Sequence, residues 1–206
     1  MSVFTEGVLH CPSGPLRYAQ SGKGPAVVMF SSAGGTLVDD VATALAADYR
    51  LLVLDVSNAS STGLQQFATN VVSALAKLGV TSFNAIGASQ GVTFAFAHAV
   101  YTPTAVNRLI LVSPPLASIQ DPGLSNKLPD ITVPTLILVG TRDRTGSREA
   151  GRLCRAHIPA SHLLLVYEAG AAIMTDRREA CLSPIREFLA QGEGFIVTHE
   201  SQLIRP

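Results

Sequence analysis

The sequence Gly-Ala-Ser-Gln-Gly at positions 87–91 follows a mainly apolar run at positions 83–86. A Gly-x-Ser-x-Gly motif between a strand and a helix is typical of a nucleophile elbow, a sharp turn that raises a serine hydroxyl above the carboxyl edge of a sheet. Glycine on both sides of the serine fits this interpretation, because larger side chains would crowd so tight a turn. The motif therefore predicts a nucleophile at Ser89.

A serine hydroxyl is a weak nucleophile until a base removes its proton. Histidine suits this task because its pKa lies near neutrality, and a carboxylate orients the imidazole and stabilises its cation. Two backbone N–H groups then bind the negative oxygen, and one of them belongs to the residue after the serine, here Gln90. A working site therefore requires a carboxylate and a histidine at the same edge of the sheet.

The chain has 206 residues, of which 47% are hydrophobic and 15% charged. This length and composition predict a single globular domain, residues 1–206, with a sizeable core. The 15 basic residues balance 15 acidic ones, so the charge favours neither nucleic acid nor an anionic membrane as a partner. We expect a small-molecule ligand, and self-association is left open.

Neither a signal peptide nor a membrane-spanning run is visible, since the apolar runs at 26–30 and 51–54 have only the length of strands. Cys11, Cys154 and Cys181 lack metal-like spacing. An odd cysteine count without a secretion signal fits a reducing compartment. We therefore expect a cytoplasmic protein with buried structural thiols at Cys154 and Cys181, no metal and no cofactor.

Apolar runs alternate with helical patterns along most of the chain, after an expected hairpin formed by residues near 8 and 16–19. Continuous apolar strands indicate a parallel sheet covered on both faces, and the alternation indicates a doubly wound α/β domain. The predicted strands lie at 26–30, 51–54, 83–86, 109–112, 135–139 and 163–167, and the predicted helices at 37–47, 64–78, 92–100, 147–157 and 177–190.

Two segments depart from this alternation. Residues 114–133 are rich in proline, which predicts a loop with at most one short helical turn. Residues 192–206 form a C-terminal tail, in which positions 194–198 have a strand-like sequence.

The elbow and the order of the elements resemble the α/β-hydrolase superfamily from about residue 16 to about residue 191. Three further segments are similar to motifs of that family: a strand and small-residue loop at 28–35, a strand leading to an acid at 133–143, and a last strand with its following turn at 163–172. The resemblance implies an α/β fold with about eight mostly parallel strands flanked by helices.

The resemblance also implies functional roles. The family's triad follows the chain order serine, acid, histidine, which puts the acid at Asp143. The oxyanion donors would be the backbone N–H groups of Ala33 and Gln90. Many relatives carry a helical cap where this chain has 114–133, so we expect the cap to be absent or minimal and the cleft over Ser89 to be open and shallow.

The chain departs from the family at Ala171, which occupies the position expected for the catalytic histidine. A methyl group cannot accept a proton. Ser31 and Ser32 replace the usual His-Gly, and the loop at 56–62 lacks the usual paired glycines. Several departures around one site favour natural divergence, while a lone alanine would suggest a deliberate substitution; both remain open.

The five histidines do not obviously replace the missing one. His162 and His157 precede the last long strand and are expected at the amino edge, away from the site. His98 lies two turns into the helix after the elbow, and His10 belongs to the N-terminal strand region. The position of His199, in the tail, is not constrained by the sequence.

Three hypotheses follow. The first is a serine hydrolase lineage acting on a small carboxylic ester, thioester or lactone, with turnover severely reduced because triad members act as a unit. The second is a non-catalytic binding or scaffold protein that kept the fold. The third is a non-hydrolytic enzyme that reuses the cleft. In the second, Ser89 is an inherited turn residue and Asp143 caps the turn before Thr145 and Gly146.

Overall fold

The computed structural model describes residues 3–12, 14–32, 37–60, 63–120, 122–194 and 202–204. These residues form strands β1 (Thr5–Cys11), β2 (Gly14–Ser21), β3 (Ala26–Ser31), β4 (Arg50–Asp55), β5 (Phe83–Ala88), β6 (Val106–Val112), β7 (Thr135–Gly140), β8 (Ser161–Val166) and β9 (Gln202–Ile204). The helices are α1 (Asp40–Leu45), α2 (Leu64–Lys77), α3 (Gly91–Tyr101), α4 (Leu116–Gln120), α5 (Pro122–Ser125), α6 (Ser147–His157), α7 (Ile173–Asp176) and α8 (Arg178–Gln191).

All the strands belong to one sheet, in the order β1-β2-β4-β3-β5-β6-β7-β8-β9. The pairs β1–β2 and β2–β4 are antiparallel, and every other neighbouring pair is parallel. The predicted mostly parallel α/β sheet is therefore confirmed. The short β9 adds a ninth strand beyond the expected eight.

The sheet is buried on both faces, as the continuous apolar runs predicted. Alternate residues of β3 point to opposite sides, Val28 and Phe30 into one core cluster and Val27 and Met29 into the other. Helices α2, α3 and α6 cover the first cluster, and α1 and α8 cover the second.

Cys154 and Cys181 lie in these two clusters, where burial raises the pKa of each thiol to about 12. Both thiols are therefore protonated at neutral pH, as expected for structural cysteines.

The segment 114–133 is more helical than the sequence predicted. Instead of one short turn it contains α4, α5 and a 3₁₀ turn at Leu128–Asp130. The sequence prediction was wrong because proline is tolerated in the first turn of a helix, where its missing N–H has no intrahelical role, and two of these turns start that way. No cap domain is present among the described residues. Positions 195–198 of the strand-like tail lie outside them.

The turn between β5 and α3 depends on two glycines. A Cβ at Gly91 would lie 2.0 Å from the carbonyl oxygen of Phe30, and a Cβ at Gly87 would lie 2.6 Å from the Cα of Val92. Both neighbours are backbone atoms, which cannot move away independently of the sheet or the helix. The start of α3 therefore packs directly on the end of β3.

We expect Gly91→Ala to destabilise the protein by about 3 kcal/mol, the upper end of the usual cost of overpacking. The carbonyl of Phe30 belongs to β3 and is held by the sheet, so the added methyl has no room. Urea unfolding of the variant measures the change. Gly194→Ala is a control, since the nearest atom to its added Cβ is 3.9 Å away, and an equal loss in both variants would contradict this account.

His98 is a core residue of α3, stacked on Phe30 at 4.7 Å between ring centroids and flanked by Phe67 and Phe83. Its Nδ1 lies 2.7 Å from the carbonyl oxygen of Phe94. Because a carbonyl only accepts, Nδ1 carries the proton and donates. Burial lowers the pKa of His98 to about 4, so the ring is neutral at pH 7.

The folded-state pKa of His98 lies below the ordinary value of about 6.5, so the unfolded chain takes up this proton first as the pH falls. The contribution to stability is complete above pH 6.5 and is lost between pH 6.5 and pH 4. Between pH 7 and pH 5 we expect a loss of about 2 kcal/mol from this group.

Urea unfolding at pH 7 and pH 5 tests this expectation. His98→Phe should remove that part of the pH dependence, whereas His157→Gln, at an exposed position, should leave it. An unchanged pH dependence in His98→Phe would show that His98 titrates alike in the folded and unfolded chain.

Candidate active site

Ser89 lies between β5 and α3 with a φ of 50°, in the left-handed region. Its N–H donates to the carbonyl of Val112 at 3.0 Å, and its own carbonyl accepts from the N–H of Val92 at 3.1 Å. The side chain is exposed. A non-glycine residue held in this conformation costs of order 1–3 kcal/mol and is found mainly where function requires it.

The strand ends bring the predicted residues to one edge of the sheet. The register pairs Phe30 with Gly87, Ala88 with Val112, and Gly140 with Val166, so the parallel strands β3, β5, β6, β7 and β8 all end at the same edge. The residues that follow these strands therefore share the carboxyl edge: Ser32, Ser89, Ser113, Asp143 and Ala171.

Ser89 and Ala171 line one small cavity of about 250 Å³. Its other described walls come from the end of β3, the end of β6, the residue before α1, and α7 with the residue before it, and none of these described residues is a histidine. Ligand pockets usually have volumes of about 300–1,000 Å³. Together with the exposure of Ser89, the small volume agrees with the expected shallow, open cleft.

Asp143 is 3% exposed and its two carboxylate oxygens differ in environment. Oδ1 accepts from the backbone N–H of Thr145 at 2.6 Å and from its hydroxyl at 2.7 Å. Oδ2 is buried and has no hydrogen-bond partner among the residues that the structure describes. One oxygen therefore caps the turn, and the other is the buried acceptor that a triad carboxylate would offer to an imidazole N–H.

Hydrogen bonds and an ion pair join the turn that carries Asp143 to the turn that precedes Ala171. The N–H of Arg142 donates to the carbonyl of Ala169 at 2.9 Å, and the N–H of Glu168 donates to the hydroxyl of Thr141 at 2.9 Å. Arg142 also pairs with Glu168 at 2.6 Å. The turns that carry the expected acid position and the expected base position are thus bonded to each other.

Gly140 permits this contact. A Cβ there would lie 2.3 Å from the carbonyl oxygens of Ala169 and Gly170. Glu168 has a φ of 58° and Ser113 a φ of 49°. The three described non-glycine residues with positive φ therefore all lie at the carboxyl ends of strands. Ser113 is buried, and its hydroxyl is without a partner in the described part of the chain.

Of the two expected oxyanion donors, the structure describes Gln90 and not Ala33. Gln90 directly precedes Gly91, the first residue of α3. Backbone N–H groups at a helix N-terminus point outward and attract negative charge, so this N–H suits an oxyanion. Ala33 lies outside the described residues, and its role stays a prediction.

The described histidines lie where the sequence placed them. His157 ends α6 and His162 is near the start of β8, both at the amino edge. His98 is packed in the core, and His10 is on β1, four strand positions from β5 or about 19 Å at ~4.8 Å per strand. His199 lies outside the described residues.

Sequence reasoning missed Asp39, Met174 and Thr175, which line the cavity with Ser89. The same three residues also line a larger open groove of about 650 Å³. The smaller cavity is the candidate site because Ser89 lines it. The sequence did contain a pattern that could have indicated Asp39. An aspartate before a helical pattern is a preferred N-cap, and the N-cap of a helix that follows a parallel strand lies at the carboxyl edge of the sheet.

Asp39 differs electrostatically from an ordinary surface aspartate. Although the residue as a whole is exposed, desolvation of its carboxyl raises its pKa, and the neighbouring Asp40 adds to the rise. The N–H of Ala42, which donates to Oδ1 at 2.7 Å, opposes it.

Within the described ranges, no group of three or more His, Cys, Asp or Glu side chains could hold a metal ion. None of the described helices is long and apolar enough to cross a bilayer.

No family model matches the chain, and no curated protein matches its sequence. Solved structures do match. A CIB-like hydrolase from Thermoplasma acidophilum has a TM-score of 0.75 at 16% identity, covering 92% of this chain and 99% of its own. A hydrolase from Pseudomonas aeruginosa PA01 has 0.74 at 18%, covering 90% and 98%. Naproxen esterase from Bacillus subtilis has 0.76 at 14%, covering 91% and 92%.

Identities this low establish the architecture, while the activity must be argued from the site. The order of the strands, the elbow between β5 and α3, and these similarities agree with one another. The chain therefore has the fold of the α/β-hydrolase superfamily.

Proposed function

We propose that this chain descends from serine hydrolases of small carboxylic esters, thioesters or lactones, and that its turnover is severely reduced because Ala171 occupies the histidine position. One observation carries the proposal. Ser89, in its strained turn, shares a cavity with the methyl group of Ala171, while the neighbouring Asp143 keeps a buried carboxylate oxygen without a partner among the described residues.

Each residue has a defined task in the proposed reaction. The hydroxyl oxygen of Ser89 attacks the carbonyl carbon, and the negative charge that develops on the substrate oxygen is bound by the N–H groups of Gln90 and Ala33. The N-terminus of α3 adds favourable potential at the same point. Such donors are worth about 3–4 kcal/mol in related chemistry, and they belong to the backbone, so they do not depend on Ala171.

The missing step is proton transfer. An imidazole at position 171 would take the proton of Ser89 and later deliver it to the leaving group, and Asp143 Oδ2 would accept its other N–H. Ala171 can do neither. General acid–base catalysis contributes about 10²–10⁴-fold to rates, which sets the size of the expected deficit.

We expect Ala171→His to raise the hydrolysis of a short-chain p-nitrophenyl ester by about a hundredfold or more. The rate should increase with pH through the ionisation of the new imidazole, because only the neutral ring can accept the proton. The measurement is initial rate against pH, with labelling of Ser89 by a fluorophosphonate followed by mass spectrometry.

Ala171→Asn is the matched control, because its side chain has a similar size but cannot act as a base. Ser89→Ala should abolish labelling, and Asp143→Asn should reduce the gain of Ala171→His. Equal rates in Ala171→His and Ala171→Asn would contradict the proposed lineage.

A non-catalytic binding protein is the second candidate, and it is favoured by the lack of an imidazole among the described residues that line the cavity. That function predicts no labelling of Ser89 in the native chain or in Ala171→His. The following expectations stay predictions: that residues 1–206 form one domain, that the protein is cytoplasmic, that it has no nucleic-acid or membrane partner, and that it can self-associate.

A further inference from the structure

Among the described residues that line the cavity of Ser89, Asp39 is the one with an acidic or basic side chain, and the others are small, apolar or hydroxyl-bearing. A volume of about 250 Å³ holds roughly eight water molecules at ~30 Å³ each. The Asp39 carboxylate and the Ser89 hydroxyl therefore line one small space, in which a few water molecules can connect them.

The carboxyl of Asp39 has a fixed orientation. Asp39 is the N-cap of α1, with an extended backbone (φ −99°, ψ −178°) and Oδ1 accepting the Ala42 N–H. The bond ties the side chain to the helix, so the carboxylate does not have to be ordered when a substrate arrives. Such preorganisation lowers the cost of a catalytic contact.

The charges around Asp39 come from α1, α7 and α8. Asp40 is next to it on α1, and the groove beside it is lined by Asp176, Arg177, Arg178 and Glu179 of α7, α8 and the residue between them. The guanidinium groups have other partners: Arg177 pairs with Glu168 at 3.6 Å, and Arg178 pairs with Asp40 at 3.2 Å and with Glu179 at 3.0 Å.

The Asp39 carboxylate also interacts electrostatically with the buried thiol of Cys181. The pKa of that thiol is raised by burial and, to a smaller extent, by the carboxylate. No ion pair to Asp39 itself is found in the described part of the chain. Its raised pKa makes it a stronger base than an ordinary surface aspartate.

We propose that Asp39 is a catalytic residue, the carboxylate base that accepts the proton of Ser89 in place of the missing histidine. This inference rests on the proposed function and identifies Asp39 as the residue responsible for the residual ester hydrolysis. It differs from the triad pattern, because the base comes from the start of α1 and not from the turn after β8.

The step balances with these groups alone. As the Ser89 oxygen bonds to the carbonyl carbon, its proton passes to the Asp39 carboxylate and the carbonyl electron pair moves to oxygen. When the tetrahedral species collapses, the bond to the leaving group breaks and the leaving oxygen or sulfur takes the proton from Asp39. A water then attacks the acyl carbon and gives a proton to Asp39. As the bond between the acyl carbon and the Ser89 oxygen breaks, that oxygen takes the proton from Asp39 and the acid is released.

Asp39→Asn is the informative variant, because asparagine is an equally good N-cap and should preserve α1. We expect the rate of Ser89 acylation by p-nitrophenyl acetate, followed by mass spectrometry, to fall by about tenfold or more. In the native chain this rate should rise with pH as Asp39 ionises, and Asp39→Asn should lose that rise. Thermal unfolding of the variant reports whether the cap is kept.

Asp40→Asn is the matched control: Asp40 is the adjacent carboxylate, it is exposed and it lines only the neighbouring groove. It should keep a rate that rises with pH, and the rise should begin at a lower pH because the charge of Asp40 no longer raises the pKa of Asp39. If Asp39→Asn and the native chain are acylated at the same rate with the same pH profile, Asp39 is not the base, and the hydrolase lineage still stands. If Ser89 is acylated in neither the native chain nor Ala171→His, the proposed function fails and this inference fails with it.

Discussion

The start of α3 packs against the backbone of β3 with no side chain between them, and the carboxyl edge is arranged around this contact. A Cβ at Gly91 would overlap the carbonyl oxygen of Phe30, 2.0 Å away. With the helix this close to the sheet, the chain must reverse within two residues after β5. Ser89 consequently adopts a positive φ, and its hydroxyl is presented to solvent above the strand ends.

A second close contact, between the turns after β7 and β8, holds the rest of the site. It is made by backbone groups and by Gly140, whose missing Cβ admits the carbonyls of Ala169 and Gly170. None of these contacts involves the side chain at position 171. The arrangement of these two turns therefore does not depend on which side chain occupies position 171, and the proposed loss of a histidine there would leave the buried carboxylate oxygen of Asp143 in place.

Local sequence patterns predicted most of the fold. Aliphatic runs marked every parallel strand from β3 to β8, and helix α6 was predicted with its observed bounds, since its polar and apolar faces repeat with helical periodicity. The segment 114–133 was predicted less well, because its proline-rich sequence concealed short helices. Proline restricts the chain without choosing between a loop and a helical first turn, and only packing beside α3 and α6 decides.

The sequence by itself determined the elbow at Ser89 and the absence of an imidazole at position 171, because both are properties of residue type within a local motif. Tertiary structure alone decided that the second carboxylate oxygen of Asp143 is buried without a partner among the described residues, and that Asp39 shares the cavity with Ser89. These residues lie far apart along the chain, and their environments depend on how parallel strands align their ends. A periodic pattern specifies which face a side chain occupies, whereas its neighbours across the edge of a sheet are set by long-range packing.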